Sequence, residues 1–263
     1  MISLAAGTVL DAGPAQTLRA AAGAGYAAAG LRLDPAVTTV AEATALRRLA
    51  DDLGLALLDL EVVRLRPDRT LDDHRRLLEL AVVLGARFLL AVSELDDRAE
   101  TTAELAELTA AARGSGTRVV LEFMRFTQVT SLREALSVAA SIGDADDGPA
   151  VLVDALHLHR GGETAADLDA APAGRIGYLQ LCDGPATAPA DLADLADEAR
   201  HHRLAPGTGE LPLRDLLAHA PAGLPLSVEV QSDRLAAAHD PAERARLLLA
   251  DTRRVLAATT WQE

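Results

Sequence analysis

Along the whole chain the hydrophobic period switches back and forth between two values. Short Val/Leu-rich runs alternate with longer stretches in which Ala and Leu recur at helical spacing among Arg, Asp and Glu. Short apolar runs bounded by turn signals read as strands buried on both faces, and the longer periodic stretches read as helices. The strand candidates are "ISLAA" from Ile2, "AAAGLRL" ending at Leu33, "LALLDLEVVRL" from Leu55 and "ARFLLAVS" from Ala86. They continue with "TRVVLEFM" from Thr117, "AVLVDAL" from Ala150, "IGYLQLCD" from Ile176 and "LPLSVEV" from Leu224. Between them lie stretches such as "VAEATALRRLADDLG" and "LDDHRRLLELAVVLG", several closing on glycine as a helix C-cap does. Eight strand–helix units are the number that closes a (β/α)8 barrel. The fold class is therefore α/β, a TIM barrel, with residues 1–263 as a single domain. A doubly wound open sheet fits less well, because "AAGTVLDAG" after the first strand lacks the glycine spacing of a phosphate-binding turn. The least regular stretch, "CDGPATAPADLADLADEARHHRLAPGTGEL", predicts a long loop with one short helix over the active face.

Composition narrows the partners. The net charge of −14 argues against a nucleic-acid partner, which needs a basic surface. A single cysteine allows no internal disulfide and suits a reducing compartment. The start, "MISLAAGTVL", has no basic segment and leads into no long apolar span, so no signal peptide or membrane helix is expected and the cytoplasm is the expected location. The Ala/Leu-rich helical exterior is compatible with a homo-oligomer without demanding one.

Chemistry in such a barrel sits at the C-terminal ends of the strands. The last four strands each end on an oxygen-bearing side chain: Glu122 in "VVLEF", Asp154 in "VLVDALH", Gln180 in "GYLQLCD" and Glu229 in "LSVEVQ". A lone inward carboxylate costs several kcal/mol unless it is paired, protonated or bound to a cation. Three of them converging predict a metal site with the Gln180 carbonyl as fourth ligand. Oxygen ligands favour Mg²⁺ or Mn²⁺, while Co²⁺ and Zn²⁺ remain compatible. His157 follows Asp154 just past the strand end, as a substrate-binding or catalytic group or as a loop histidine bonded to backbone. Arg203 precedes "LAPGTGE", a turn that would carry its guanidinium over the mouth. Arg200, His201 and His202 crowd the same loop and cannot be ranked by spacing. Glu61 and Arg64 end the third strand and Arg32 the second. Their arginines can clamp a carboxylate or phosphate, or Arg32 can simply pair with Glu61. His159 reads as exposed, Cys182 as a packed small side chain and Asp183 as a cap on the following turn.

These residues resemble the xylose-isomerase-like TIM barrels, the sugar phosphate isomerase/epimerase superfamily, from "GYAAAGLRL" to "LSVEV". The likeness is sharpest from Glu122 onward: "LEF" at Glu122, "DALH" at Asp154 and His157, "VEV" at Glu229 and "RLAPGTG" at Arg203. The resemblance implies a divalent metal held by Glu122, Asp154, Gln180 and Glu229, with Arg203 binding substrate. Where most members carry a metal-binding histidine, this chain has Gln180 in "QLCD". Gln there also resembles the dehydroshikimate dehydratase-like branch.

The resemblance implies proton abstraction next to a carbonyl, with the metal stabilising the enediolate. In an isomerase or epimerase, Glu122 and Glu229 would remove and return the proton. In a dehydratase of a polyhydroxy keto acid such as 3-dehydroshikimate or inosose, His157 would assist hydroxide departure. A barrel that binds ligand without turnover is a further alternative. Endonuclease IV-type repair is disfavoured by the acidic charge and the scarcity of strand-end histidines. The expected substrate is a small polyhydroxy or keto acid, anionic because of Arg32, Arg64 and Arg203.

Overall fold

The computed structural model describes residues 1–259 and 261. Eight parallel strands close into a barrel: β1 Ile2–Leu4, β2 Ala28–Arg32, β3 Ala56–Leu65, β4 Phe88–Ser93, β5 Arg118–Glu122, β6 Ala150–Asp154, β7 Ile176–Leu181 and β8 Leu226–Val228. β1 pairs with β8 and seals the ring. Alternate residues of each strand point to opposite faces. In β6, Val151 and Val153 join the layer under the helices, while Ala150 and Leu152 pack in the lumen with Phe88, Leu90, Val120 and Tyr178. Both faces are buried, so the strands read as continuous apolar runs.

The helices are α1 Pro14–Ala24, α2 Val40–Asp52, α3 Leu71–Leu84, α4 Arg98–Ala112, α5 Leu132–Ile142, α6 Ala155–Arg160, α7 Leu192–His201, α8 Leu213–His219, α9 Asp233–Ala238 and α10 Pro241–Ala257. Their starts follow from capping chemistry. Thr39 with Glu42 and Thr70 with Asp73 form capping boxes, satisfying amides that no helical carbonyl can reach. α1 and α3 stop at Gly25 and Gly85, whose φ of 92° and 67° is left-handed and favours glycine.

The stretch after β7 is a long loop holding one helix, α7, as expected; Asp191 caps it and Leu195 and Ala199 are buried. One alternative is corrected. His157 is not on a loop: it lies in the first turn of α6, with Asp154 as the N-cap. No helix among the described residues is long and apolar enough to cross a membrane.

Candidate metal centre

Strands of a closed barrel tilt, so residues at one height climb in register from strand to strand. Glu122 pairs with Leu152, and Asp154 stands two residues beyond it; Gln180 pairs with Asp154 and with Ser227, and Glu229 stands two beyond Ser227. The climb brings the acids together. Glu122, Asp154 and Glu229 are all buried and each offers an oxygen within 4.8 Å of the others.

Local backbone holds each acid in place. Asp154 Oδ1 accepts from the N–H groups of Leu156 and His157 at 2.9 and 3.0 Å, so capping α6 also orients the carboxylate. Glu229 leans over Gly7, where a Cβ would lie 2.3 Å from its Oε1 and would displace the carboxylate. The Thr8 hydroxyl donates to the Val228 carbonyl and accepts from Val230 N–H, fixing the end of β8.

Arg203 is the cation inside this cluster, 2% exposed. Its Nη1 donates to Asp154 Oδ2 at 2.7 Å and lies 3.2 Å from Glu229 Oε2. Its Nε donates to the Ala199 carbonyl, and Nη2 lies 3.3 Å from His157 Nε2. The loop carrying it is pinned by Asp183, which pairs with Leu204 through backbone and accepts from the N–H groups of Gly184, Gly207 and Leu211. The expected capping role of Asp183 is thus present, extended over the whole turn.

Charge and burial compete at each of these groups. Burial, with the charges of Glu229 and Asp154, raises the Glu122 carboxyl well above the usual range. Burial pushes Glu229 up to about 7 against the pull of Arg203. Burial also raises Asp154, but Arg203, His157 and the capping amide outweigh it and leave its carboxyl low. Burial pushes His157 down to about 4, so the imidazole is neutral near pH 7. A neutral ring facing the Arg203 guanidinium accepts at Nε2, which leaves its proton on Nδ1.

The residues fit a divalent cation. With all three carboxyls ionised, three negative charges face one guanidinium, an excess of two. Gln180 is fully buried on the lumen face, and neither its amide oxygen nor its nitrogen has a hydrogen-bond partner. A buried amide with both ends unpaired is costly, and a cation offers its oxygen a partner.

A cavity of about 450 Å³ opens above the acids, walled by Met124, Phe126 and Gln231 among others. The expected clamp residues are there, but two are already neutralised. Arg32 donates to Glu61 at 2.7 Å, the pairing that sequence had offered as the alternative, and Arg64 donates to Glu94 at 2.5 Å. Arg200 and His201 also line the cavity. His202 faces outward and pairs with Asp197 at 2.8 Å. His159 is half-buried and turns to Arg160. Cys182 is buried beside Arg203, its thiol raised by burial.

Sequence reasoning passed over Phe126, whose ring meets His157 edge-on at 5.7 Å, and Asp59. Asp59 sits in the lumen, accepts from the Tyr178 hydroxyl and is pushed up to about 7 by burial. Its i, i+2 spacing to Glu61 was the available signal, since it puts both acids on one strand face.

A closed parallel barrel with helices between its strands makes this a (β/α)8 protein, and three buried acids at its C-terminal mouth could hold a cation. The sequence pattern described as Xylose isomerase-like TIM barrel matches residues 18–252, and the chain belongs to that family. No curated protein sequence matches it. Among solved structures it is similar to a xylose isomerase-like TIM barrel/4-hydroxyphenylpyruvate dioxygenase fusion protein, at 22% identity and TM-score 0.80, spanning all of this chain but 45% of that one. It is similar to IolI protein with a bound zinc atom at 17% identity and TM-score 0.82, covering 99% of both chains. It is similar to D-psicose 3-epimerase from Clostridium cellulolyticum H10 with D-tagatose at 14% identity and TM-score 0.73, covering 97% of this chain and 99% of that one. At these identities the likeness carries the fold alone.

Proposed function

We propose that this protein is a divalent-metal-dependent isomerase or epimerase of a small polyhydroxy carbonyl compound. The convergence of three buried carboxylates around a single buried guanidinium carries this reading. Glu122, Asp154 and Glu229 would hold the cation with the Gln180 amide oxygen. A bound divalent cation would supply Lewis-acid stabilisation of the charge that develops on the substrate's carbonyl oxygen. Mg²⁺ and Mn²⁺ suit an all-oxygen set best.

Glu122 and Glu229 reach the cavity from β5 and β8, separated by two intervening strands. Each carboxylate has a second oxygen to hold or take a proton from the carbon next to the carbonyl. Their raised affinity for protons suits exchange near neutral pH. Arg203 keeps Asp154 ionised and lends a positive field where negative charge develops. His157, neutral near pH 7, serves as a hydrogen-bonding group for a substrate hydroxyl. That favours isomerisation over dehydration, which would need it as a charged acid. The similarity to a D-psicose 3-epimerase supports a sugar-type substrate.

The test is solvent-proton exchange. Mn²⁺-loaded protein incubated with ketoses and keto acids in D₂O is expected to place deuterium next to the carbonyl of one of them, read by NMR. Tight Mn²⁺ binding with no exchange across the panel would leave a ligand-binding barrel. No Mn²⁺ binding would remove the site.

A further inference from the structure

Four arginines line the cavity: Arg32, Arg64, Arg200 and Arg203. Three are neutralised by the chain's own acids, Arg32 by Glu61, Arg64 by Glu94 and Arg203 by Asp154 and Glu229. Of the cavity arginines, only Arg200 has no carboxylate partner among the described residues. His201 beside it is tied to Asp233 at 3.2 Å. Arg200 stands exposed on the last turn of α7, its guanidinium carbon 5.5 Å from the centre of the Phe126 ring. The same ring meets His157, whose Nε2 lies 3.8 Å from Glu122 Oε1. The unpaired cation is thus one aromatic ring away from the group adjoining the acid cluster.

We infer that Arg200, set over the Phe126 ring, reads a carboxylate on the substrate, so that the substrate is a polyhydroxy keto acid whose anionic end points away from the acid cluster. This rests on the reading of the site proposed above. The physical case is one of competition. An arginine already paired with a buried or neighbouring acid has its charge largely offset, so a second anion gains little there. A guanidinium placed over an aromatic ring keeps its N–H fork free and loses little freedom on meeting a carboxylate. In a protein of net charge −14, an anion gains a foothold only where local positive charge is left over. A single spare guanidinium matches a monoanion. A phosphate dianion wants more donors, and Thr127, the hydroxyl residue in the cavity wall, already donates to backbone carbonyls.

The experiment compares three probes that share one polyol skeleton: D-xylonate, xylitol and xylitol 5-phosphate. Their binding to Mn²⁺-loaded protein is measured by isothermal titration calorimetry, after a Mn²⁺ titration that reads the underlying proposal separately. The expected result is a Kd for xylonate about tenfold or more below that for xylitol, a factor ordinary for one charged hydrogen-bonded contact. In Arg200→Gln the ratio should fall to about one, with Mn²⁺ affinity unchanged, and Arg200→Lys should retain part of it. A preference for xylonate that survives in Arg200→Gln would put the carboxylate on the metal and overturn the assignment. Equal or undetectable binding of xylonate and xylitol to the wild-type protein would overturn it too. Tighter binding of the phosphate ester would replace the carboxylate with a phosphate. Equal loss of xylonate and xylitol in Arg200→Gln would make Arg200 a support for the loop instead.

Discussion

Asp154 does three things at once: it caps α6, orients Arg203 and points an oxygen at Glu122 and Glu229. Such overlap makes the site brittle at single residues. Glu229→Gln keeps the shape of the side chain but removes a charge the cation needs. It is expected to fold as the wild type, to bind Mn²⁺ more weakly and to lose about 10²-fold or more of turnover, as removal of a proton-transfer group does. Unchanged metal affinity and activity would dismiss the site. Gln180→His replaces an oxygen ligand by imidazole nitrogen and should shift metal preference from Mn²⁺ toward Zn²⁺, read by competitive titration. At this scale the candidate ligands were legible because an amide or carboxylate at an apolar strand end has few uses. Arg32 and Arg64 were legible as cavity residues, Arg32 with Glu61 as its alternative partner. The pairing of Arg64 with Glu94 was not, because spacing along the chain does not report it.

Between β7 and α8, one short loop decides where Arg203 stands. Gly209 packs so closely that a Cβ would lie 2.5 Å from both Asp183 Oδ1 and the Gly184 carbonyl. Gly209→Ala must therefore displace the turn that Asp183 holds. It is expected to cost about 1–3 kcal/mol of stability, the usual range for overpacking, and to weaken Mn²⁺ binding as Arg203 shifts. Thermal unfolding and metal titration check both effects. α6 and α7 are joined by Arg160 and Glu198, which form two hydrogen bonds of 2.7 Å out of contact with water. Arg160→Met strands a buried carboxylate, so a loss of about 3 kcal/mol or more is expected in denaturant unfolding. Strands and most helices were readable from period and caps. α7 was legible only as one short helix within a long loop, because its polar, Pro-flanked sequence does not mark its bounds.

Acidity shapes the molecule as a whole. Asp59 and Glu61 are both raised to about 7 by burial, with the charge of Asp59 adding to the effect on Glu61 and Arg32 opposing both. The fold keeps protons on these groups that the unfolded chain releases near pH 4. Their contribution to stability is therefore complete below about pH 4 and is lost as pH rises through about 7. The metal-free protein is expected to melt at progressively lower temperature between pH 5 and pH 8, and Asp59→Asn should flatten that slope. A Tm that stays level or rises over that window would contradict the assignment. Mn²⁺ affinity should run the other way, increasing as Glu229 gives up its proton near pH 7, with proton release on binding measurable by calorimetry in buffers of different ionisation enthalpy.

The amino-acid sequence by itself determined the barrel. Eight buried-strand runs separated by capped helices admit few other closures, and hydrophobic period acts locally, within a dozen residues. It also determined which strand ends carry acids. Only the tertiary structure decided which charges remain free. Strand tilt converts separate registers into one cluster, and Glu61 and Glu94 neutralise arginines that the chain alone presents as clamps. Arg200 is left as the spare cation over Phe126, because pair energies depend on distances that sequence separation does not encode.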